Sequence, residues 1–368
     1  MTTFILPKGC VKKIEAMCSK FLWGGNIDTR STAKVAWKTV CLPKREGGLG
    51  LRSFSEWNKV LCLRFIWLLF SGTNSLWVQW HKYHHLRSSS FWALEVRSTD
   101  SAAWSSILSL RPLGERFLQC RVISGTDAKF WFDIWTPFGQ LIKFLGDSGP
   151  RDIRVPLSAS VRDVTNETGW RLPQPRSDSA LALHIHLTTV DLPLQDHTAD
   201  TFHWVVESKE CKGFSSSRTW EALRPRAQVK DWAPSVWFSG AIPRQAFIMW
   251  LANLNRLPTK VRLASWGLNI QTACCFCNTH DETRDHLFLE CSYSTALWLR
   301  FFAPSTIRKL ATQSMIYNIW RQRNSTVHLT GFSPQQTTFA TIDKDIRNAI
   351  SARRHRRKFT TLMQLWIR

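Results

Sequence analysis

The chain has 368 residues, 44% of them hydrophobic, which is enough for two or three domains with packed cores and excludes a disordered polar chain. It carries 49 Lys and Arg against 27 Asp and Glu, a formal net charge of +22. A balance that basic argues against acidic partners being repelled and for a polyanion being attracted.

The charge sits at the ends. Residues 1–72 hold 12 basic against 4 acidic side chains, residues 303–368 hold 12 against 2, and the long middle holds 25 against 21. RNA or DNA is the expected partner. The 20 tryptophans are spread from Trp23 to Trp366, so they read as packing anchors and not as one ligand cage. Met1–Cys10 lacks the apolar run of a secretory signal, and the best apolar run, Val60–Phe70, is too short to span a bilayer and contains Arg64. The expectation is an intracellular protein with no membrane association, in which cysteines are reduced or bind metal.

In chain order, Pro7–Trp23 reads as an amphipathic helix with Val11, Ile14, Cys18, Phe21 and Leu22 on one face, stopped by two glycines. Lys44–Phe54 is a glycine-rich turn without the pattern of a phosphate loop. Ser53 and Glu56 have capping-box spacing, so a helix should run to about Phe70 and end at Gly72. Helices are expected over Leu76–Leu86 and Ala102–Ile123, and a strand over Asp127–Trp135, where aromatic and polar residues alternate. Asp147–Gln195, rich in Pro, Ser and Asp, reads as a linker with room for one short helix. Thr201–Glu207 is strand-like, and a serine cap introduces a helix in "GFSSSRTWEAL". Pro243 opens an apolar helix, a shorter one closes at Gly267, and helices at Ser292–Phe302, Arg308–His328 and Pro334–Arg357 complete the chain.

The chemistry concentrates in "CCFCNTHDETRDHLFLEC", residues Cys274 to Cys291. The spacing is Cys274-x2-Cys277-x8-His286-x4-Cys291. Two thiolates two residues apart sit on one tight hairpin, and a later His and Cys complete a tetrahedron suited to Zn2+. With all four positions filled by protein, no place is left for an activated water, so the site should be structural. Cys275 is the alternative first ligand, although only one residue would separate it from Cys277. The loop interior is acidic (Asp281, Glu282, Asp285), so nucleic-acid contacts should come from Arg244, Arg256, Lys260 and Arg262 just upstream, and from the tail residues Arg353, Arg354, Arg356, Arg357 and Lys358. The tail run is also a candidate nuclear-import signal, and Phe359 and Trp366 beside it are candidates for stacking on bases.

The phrases "RLPTKVRLASWG", "CCFC", "DETRDHLFLECSYSTALW" and the helix "PRQAFIMWLANLNRLPT" together resemble the reverse-transcriptase zinc-binding domain of plant non-LTR (LINE-type) retroelements. "FILPKGCVKKIEAMCSKFLWGG", "VAWKTVCLPKREGGLGLRSF" and "GTDAKFWFDIWTPFG" are similar to segments that follow the polymerase palm in these elements. The resemblance implies the post-palm part of an RNA-directed DNA polymerase, mainly α with a few short strands. Its parts would be a thumb- or connection-like helical region over 1–145, a linker and strand-rich connector over 146–213, a zinc-stabilised helical module over 214–302 and a basic helical tail over 303–368.

The catalytic signature of that family is a pair of adjacent aspartates, and this chain has no Asp-Asp pair. After Glu290 the acids are Asp343 and Asp345, too few for a ribonuclease H centre. No catalytic residue is therefore expected. A palm supplied by another chain is one implied partner. The competing reading is a non-catalytic scaffold or degenerate retroelement remnant with no nucleic-acid activity of its own. His81, His84 and His85 lack the glutamate of a zinc-protease motif and read as surface histidines of a helix, and Cys10, Cys18, Cys41, Cys62, Cys120 and Cys211 as packed apolar residues.

Overall fold

The computed structural model describes residues 4–28, 32–87, 89–193, 198–300, 305–328, 331–357, 359–360 and 362–367. It is mainly helical with one three-stranded antiparallel sheet, as expected. The chain divides into two units: Met1–Glu15 with Ser53–Pro225, and Ala16–Arg52 with Arg226–Arg368.

The first unit is organised by the Phe54–Phe70 helix, which buries Val60, Cys62, Leu63, Ile66 and Leu69. Its expected capping box does not form. The Glu15 carboxylate instead accepts from the Phe54 amide (3.2 Å) and the Ser53 hydroxyl (3.4 Å), while Glu56 pairs with Lys59. A carboxylate from another helix thus serves the positive helix end. Against this helix packs the sheet, strands β1 (Leu118–Arg121), β2 (Thr201–Val206) and β3 (Lys209–Cys211) in that order. The helix expected over 102–123 ends at Ser109. Pro112 begins a new helical turn, Gly114 lies so close to Ile66 that a Cβ would crowd it, and the chain then enters β1.

Asp127–Trp135 forms turns and not a strand, with one isolated bridge from Lys129 to Ser160. Carboxylates have taken the donors a ladder would need. Asp200 accepts from the amides of Ile123, Gly125, Asp127 and Ala128 at 2.7–3.0 Å, and Asp133 accepts from the Lys129 amide and the Trp92 indole. Phe130 and Trp131 are thereby buried with Ile153, Val155, Val164, Leu183 and Leu187. Much of the stretch read as a linker is thus a packed wall of this core. Within it the Asp178–Leu187 helix buries Ala180, Leu183 and Leu187, while Leu157, Leu181 and Ile185 face solvent.

In the second unit one core joins the Pro243–Asn253 helix (Met249, Trp250, Leu251), the cysteine segment (Cys274, Leu287, Phe288, Cys291, Leu297) and the helices Ser305–Val327 and Gln335–Ser351 (Leu310, Met315, Ile319, Ile342, Ile346). The glycine-rich turn belongs to it. The Trp250 indole donates to the Gly47 carbonyl (2.8 Å), Gly47 has φ +91°, and a Cβ at Gly48 would overlap the Leu42 carbonyl. The Lys8–Gly24 helix forms, but of its expected apolar face only Val11 is buried, and Phe21 is 64% exposed.

Candidate metal centre

The cysteine segment folds as a hairpin followed by a wide helical turn. The Cys274 amide donates to the His280 carbonyl (2.8 Å) and the Asn278 amide to the Cys274 carbonyl (2.9 Å), with Asn278 in the left-handed region at φ +55°. This knuckle points Cys274 and Cys277 the same way. His286–Glu290 then makes a π-helical turn, closed by the Cys291 amide on the His286 carbonyl (2.8 Å). In an ordinary α-helix, residues five apart diverge by about 140°. The i→i+5 turn brings His286 and Cys291 back to one side, which is why a four-residue gap separates them. The Ser294 hydroxyl on the Leu287 carbonyl and the Trp298 indole on the Phe288 carbonyl, both 2.6 Å, hold that turn.

The donor atoms of Cys274, Cys277, His286 and Cys291 all lie within 4.8 Å of one another. Cys274 Sγ is 3.9 Å from Cys291 Sγ, and Cys277 Sγ is 3.3 Å from His286 Nε2. A tetrahedral ion with bonds of ~2.3 Å to sulfur and ~2.0 Å to nitrogen has edges of ~3.8 Å and ~3.5 Å. The spacing fits such an ion and is far too long for a disulfide, whose sulfurs stand ~2.05 Å apart. Among the described residues this is the one group of His, Cys, Asp and Glu arranged to hold a metal. Cys275 lies outside the four. Its thiol donates toward Cys274 and sits near Glu282, and with burial these contacts push it well above the ordinary thiol range.

The charge balance of the four suits a cation. Hydrogen bonds from Cys275 and Cys291 hold the Cys274 thiol far below its usual value. Burial opposes ionisation of Cys277, but donors from Thr279, His280 and His286 bring it down to about 6. Cys291 is raised because it donates to Cys274, and burial also raises it. Burial lowers His286, but Cys277 and Cys274 together outweigh that and raise it. Two sulfurs are therefore ready anions.

Behind the site lies a buried ion pair that sequence spacing did not suggest. Arg323 Nε and Nη2 reach Glu282 Oε1 at 2.9 and 2.7 Å, with both side chains at most 3% exposed. The same oxygen accepts from the Lys260 amide (2.9 Å). Phe276 stacks on Tyr293, whose hydroxyl bonds Thr338. The hairpin is thus pinned to both long tail helices.

The basic residues differ in availability. The Lys260 ammonium is engaged by the Ala273 carbonyl (2.7 Å), Arg244 lies over the Tyr317 ring, and Arg353 bonds the Ala349 carbonyl. Arg256, Arg354, Arg356 and Arg357 are exposed. The helix before the three tail arginines ends at Ser351, not Arg357, so those three lie on turns, and Lys358 falls outside the described residues. Phe359 is 2% exposed and fills the space over Gly240, and the Trp366 indole bonds Asp343 (2.7 Å), so packing accounts for both. His81 is not a surface histidine. It is 8% exposed and stacks on Trp104 at 4.5 Å. Cys10 is exposed, unlike the buried Cys41, Cys62, Cys120 and Cys211.

Residues 214–298 match the family described as zinc-binding in reverse transcriptase. That segment is similar to the zinc-binding part of reverse transcriptases. The match begins near the Ser216–Leu223 helix and ends at the tryptophan that braces the π turn. Over 309 residues, 82% of the chain, it is 25% identical to an Arabidopsis thaliana protein named as a ribonuclease H protein, and spans 49% of that relative's length. Over 136 residues it is 29% identical to an uncharacterized mitochondrial protein of the same plant, 88% of which is covered. Among the described residues no helix is long and apolar enough to cross a membrane.

Proposed function

We propose that the chain is a zinc-stabilised, nucleic-acid-binding part of a LINE-type retroelement reverse transcriptase that contributes binding and no chemistry of its own. The observation that carries this reading is the four-donor set within a segment of the reverse-transcriptase zinc-binding family. Cys274, Cys277, His286 and Cys291 hold Zn2+ and leave no position for a reacting water. The ion's part is to cross-link a hairpin and a π turn, a structural role in which ligand order is created by folding. RNA or DNA is attracted by Arg256, Arg262 and the arginines of 353–357.

Metal analysis of the purified chain tests the first half: one zinc per chain, lost in Cys291→Ser. Filter binding across a salt series tests the second. Affinity should fall steeply, with a slope near −0.9 per phosphate contact on duplex DNA and about −0.7 on single strands. Flat affinity leaves the scaffold reading. Primer extension with Mg2+ should give no product with this chain alone, and product with it in a mixture only if a second chain brings a palm.

A further inference from the structure

One aromatic residue in the zinc-binding segment stands apart from the others. Trp266 is 58% exposed, whereas Trp250 of the same segment is fully buried. It is not on a loose loop. Its amide bonds the Leu263 carbonyl (3.1 Å), the Gly267 amide bonds Ala264 (2.9 Å), and Gly267 turns the chain at φ +86°. The turn therefore holds an indole face toward solvent, with exposed Leu268 following it.

One cation stacks on that ring, and a second lies close enough to the first for their charges to interact. The Arg262 guanidinium lies over the Trp266 ring at 5.2 Å. Its Nε is buried with no hydrogen-bond partner, so stacking and not hydrogen bonding fixes it. Burial, then the charge of the nearby Arg256, pulls Arg262 down from its usual value. Arg256 is exposed, and its backbone is fixed by its amide on the Leu251 carbonyl (2.8 Å) after Asn255 at φ +52°. Among the described residues neither arginine forms an ion pair with a carboxylate. Two like charges held together without a counter-charge cost free energy, and an anion placed on them recovers it. Lys260 on the same short helix is spent on the Ala273 carbonyl, so it braces this surface against the zinc hairpin and does not add to it.

The geometry points to Trp266, Arg262 and Arg256 as a clamp for single-stranded nucleic acid, an unpaired base stacking on the exposed indole and the two guanidiniums taking the flanking phosphates. This rests on the nucleic-acid reading above and narrows it. A duplex presents only phosphates to such a surface, because its base faces are already stacked, whereas a single strand offers both phosphates and a free π face.

The test uses the full zinc-loaded chain and fluorescence anisotropy with labelled dT20, rU20 and a 20-base-pair DNA duplex. Trp266→Ala should weaken single-strand binding roughly 5- to 100-fold, the range of one lost base stack. Duplex affinity should stay within about twofold, and Trp266→Phe should keep most of the single-strand affinity. Arg256→Gln with Arg262→Gln should lower the single-strand salt slope by about 1.4, two phosphates at ~0.7 each. Zinc content, measured for every variant, identifies any that has not folded. Should Trp266→Ala fail to fold, Trp266→Phe and the arginine pair decide. A wild-type chain that binds single strands with a steep salt slope, but loses single-strand and duplex binding alike or neither in Trp266→Ala, overturns the clamp and leaves the broader reading standing. Salt-independent or absent binding to all three probes overturns both.

Discussion

Single residues in this protein are set by what their charge meets. Glu282 and Arg323 are buried together, at 0% and 3% side-chain exposure. Glu282→Gln should cost about 3–5 kcal/mol, because Arg323 is left as an uncompensated buried charge. Urea unfolding of the variant checks this, and the paired change Glu282→Leu with Arg323→Met should recover much of the loss. His81 gives a pH prediction. Burial, then the charges of His85 and His84, lowers it to about 4. The folded state therefore holds it neutral, and an unfolded histidine near 6.5 takes up the proton first. Its contribution is complete above pH 6.5 and is lost as pH falls toward 4, by at most about 3 kcal/mol. Stability measured in His81→Phe should be flatter across that window, and an unchanged profile would show that His81 is not the titrating group. Neither residue's setting was legible in sequence. His81 looked like a helix-surface residue because helical spacing says nothing about Trp104, which arrives from another helix.

At the scale of elements, side-chain carboxylates decide where the backbone turns. Asp200 gathers four amide donors from 123–128, and Asp133 gathers one more and an indole. Asp200→Ala should cost about 2–4 kcal/mol, since several buried amides lose a charged acceptor at once. Hydrogen exchange at Gly125 and Ala128 should rise most. Burial opposes the Asp200 charge, but those four bonds outweigh it and hold its carboxyl below the usual range. This stabilisation is present above the unfolded value near 3.9 and is lost as pH drops through the lower folded value. The alternating pattern of Asp127–Trp135 had suggested a strand. Alternation records which side chains go inside, and here Phe130 and Trp131 do so from consecutive turn positions. A partner 70 residues away, Asp200, is invisible to a local pattern. The helix starts were clearer. Ser75, Ser101 and Ser215 each accept an amide from three residues on, a bond that needs only neighbours in sequence, and Ser177 does the same at a start that the sequence reading did not place.

At the scale of the molecule, each unit has its own core, and the metal ligands belong to one of them. Structural zinc contributes an apparent ~10–16 kcal/mol in small peptides. Chelation, or His286→Ala, should therefore loosen residues of about 265–300 and, through Cys274 and Cys291 in the shared core, the Ser305–Val327 helix as well. Hydrogen exchange should show this while the Phe54–Phe70 helix stays protected. Uniform loss of protection across both would mean that the metal governs the whole chain. The tail reads in sequence as a separate basic extension. Its apolar residues Leu310, Met315, Ile319, Ile342 and Ile346, on two helices, become core only because the cysteine segment and the Pro243–Asn253 helix lie beside them.

The sequence alone pointed to the four-donor cluster, since a knuckle and a π turn are local structures whose spacing is written in the chain. It also determined the helical class, most helix starts and the likeness of 214–298 to a zinc-binding family. Tertiary structure decided what no local pattern carries. It showed that Cys274 and not Cys275 joins the set, that Lys260 braces the hairpin, and that Phe359 is a core residue while Trp266 is a surface one. The physical reason is the same in each case. Spacing fixes which way a side chain leaves its own element, and burial depends on which other element comes to meet it.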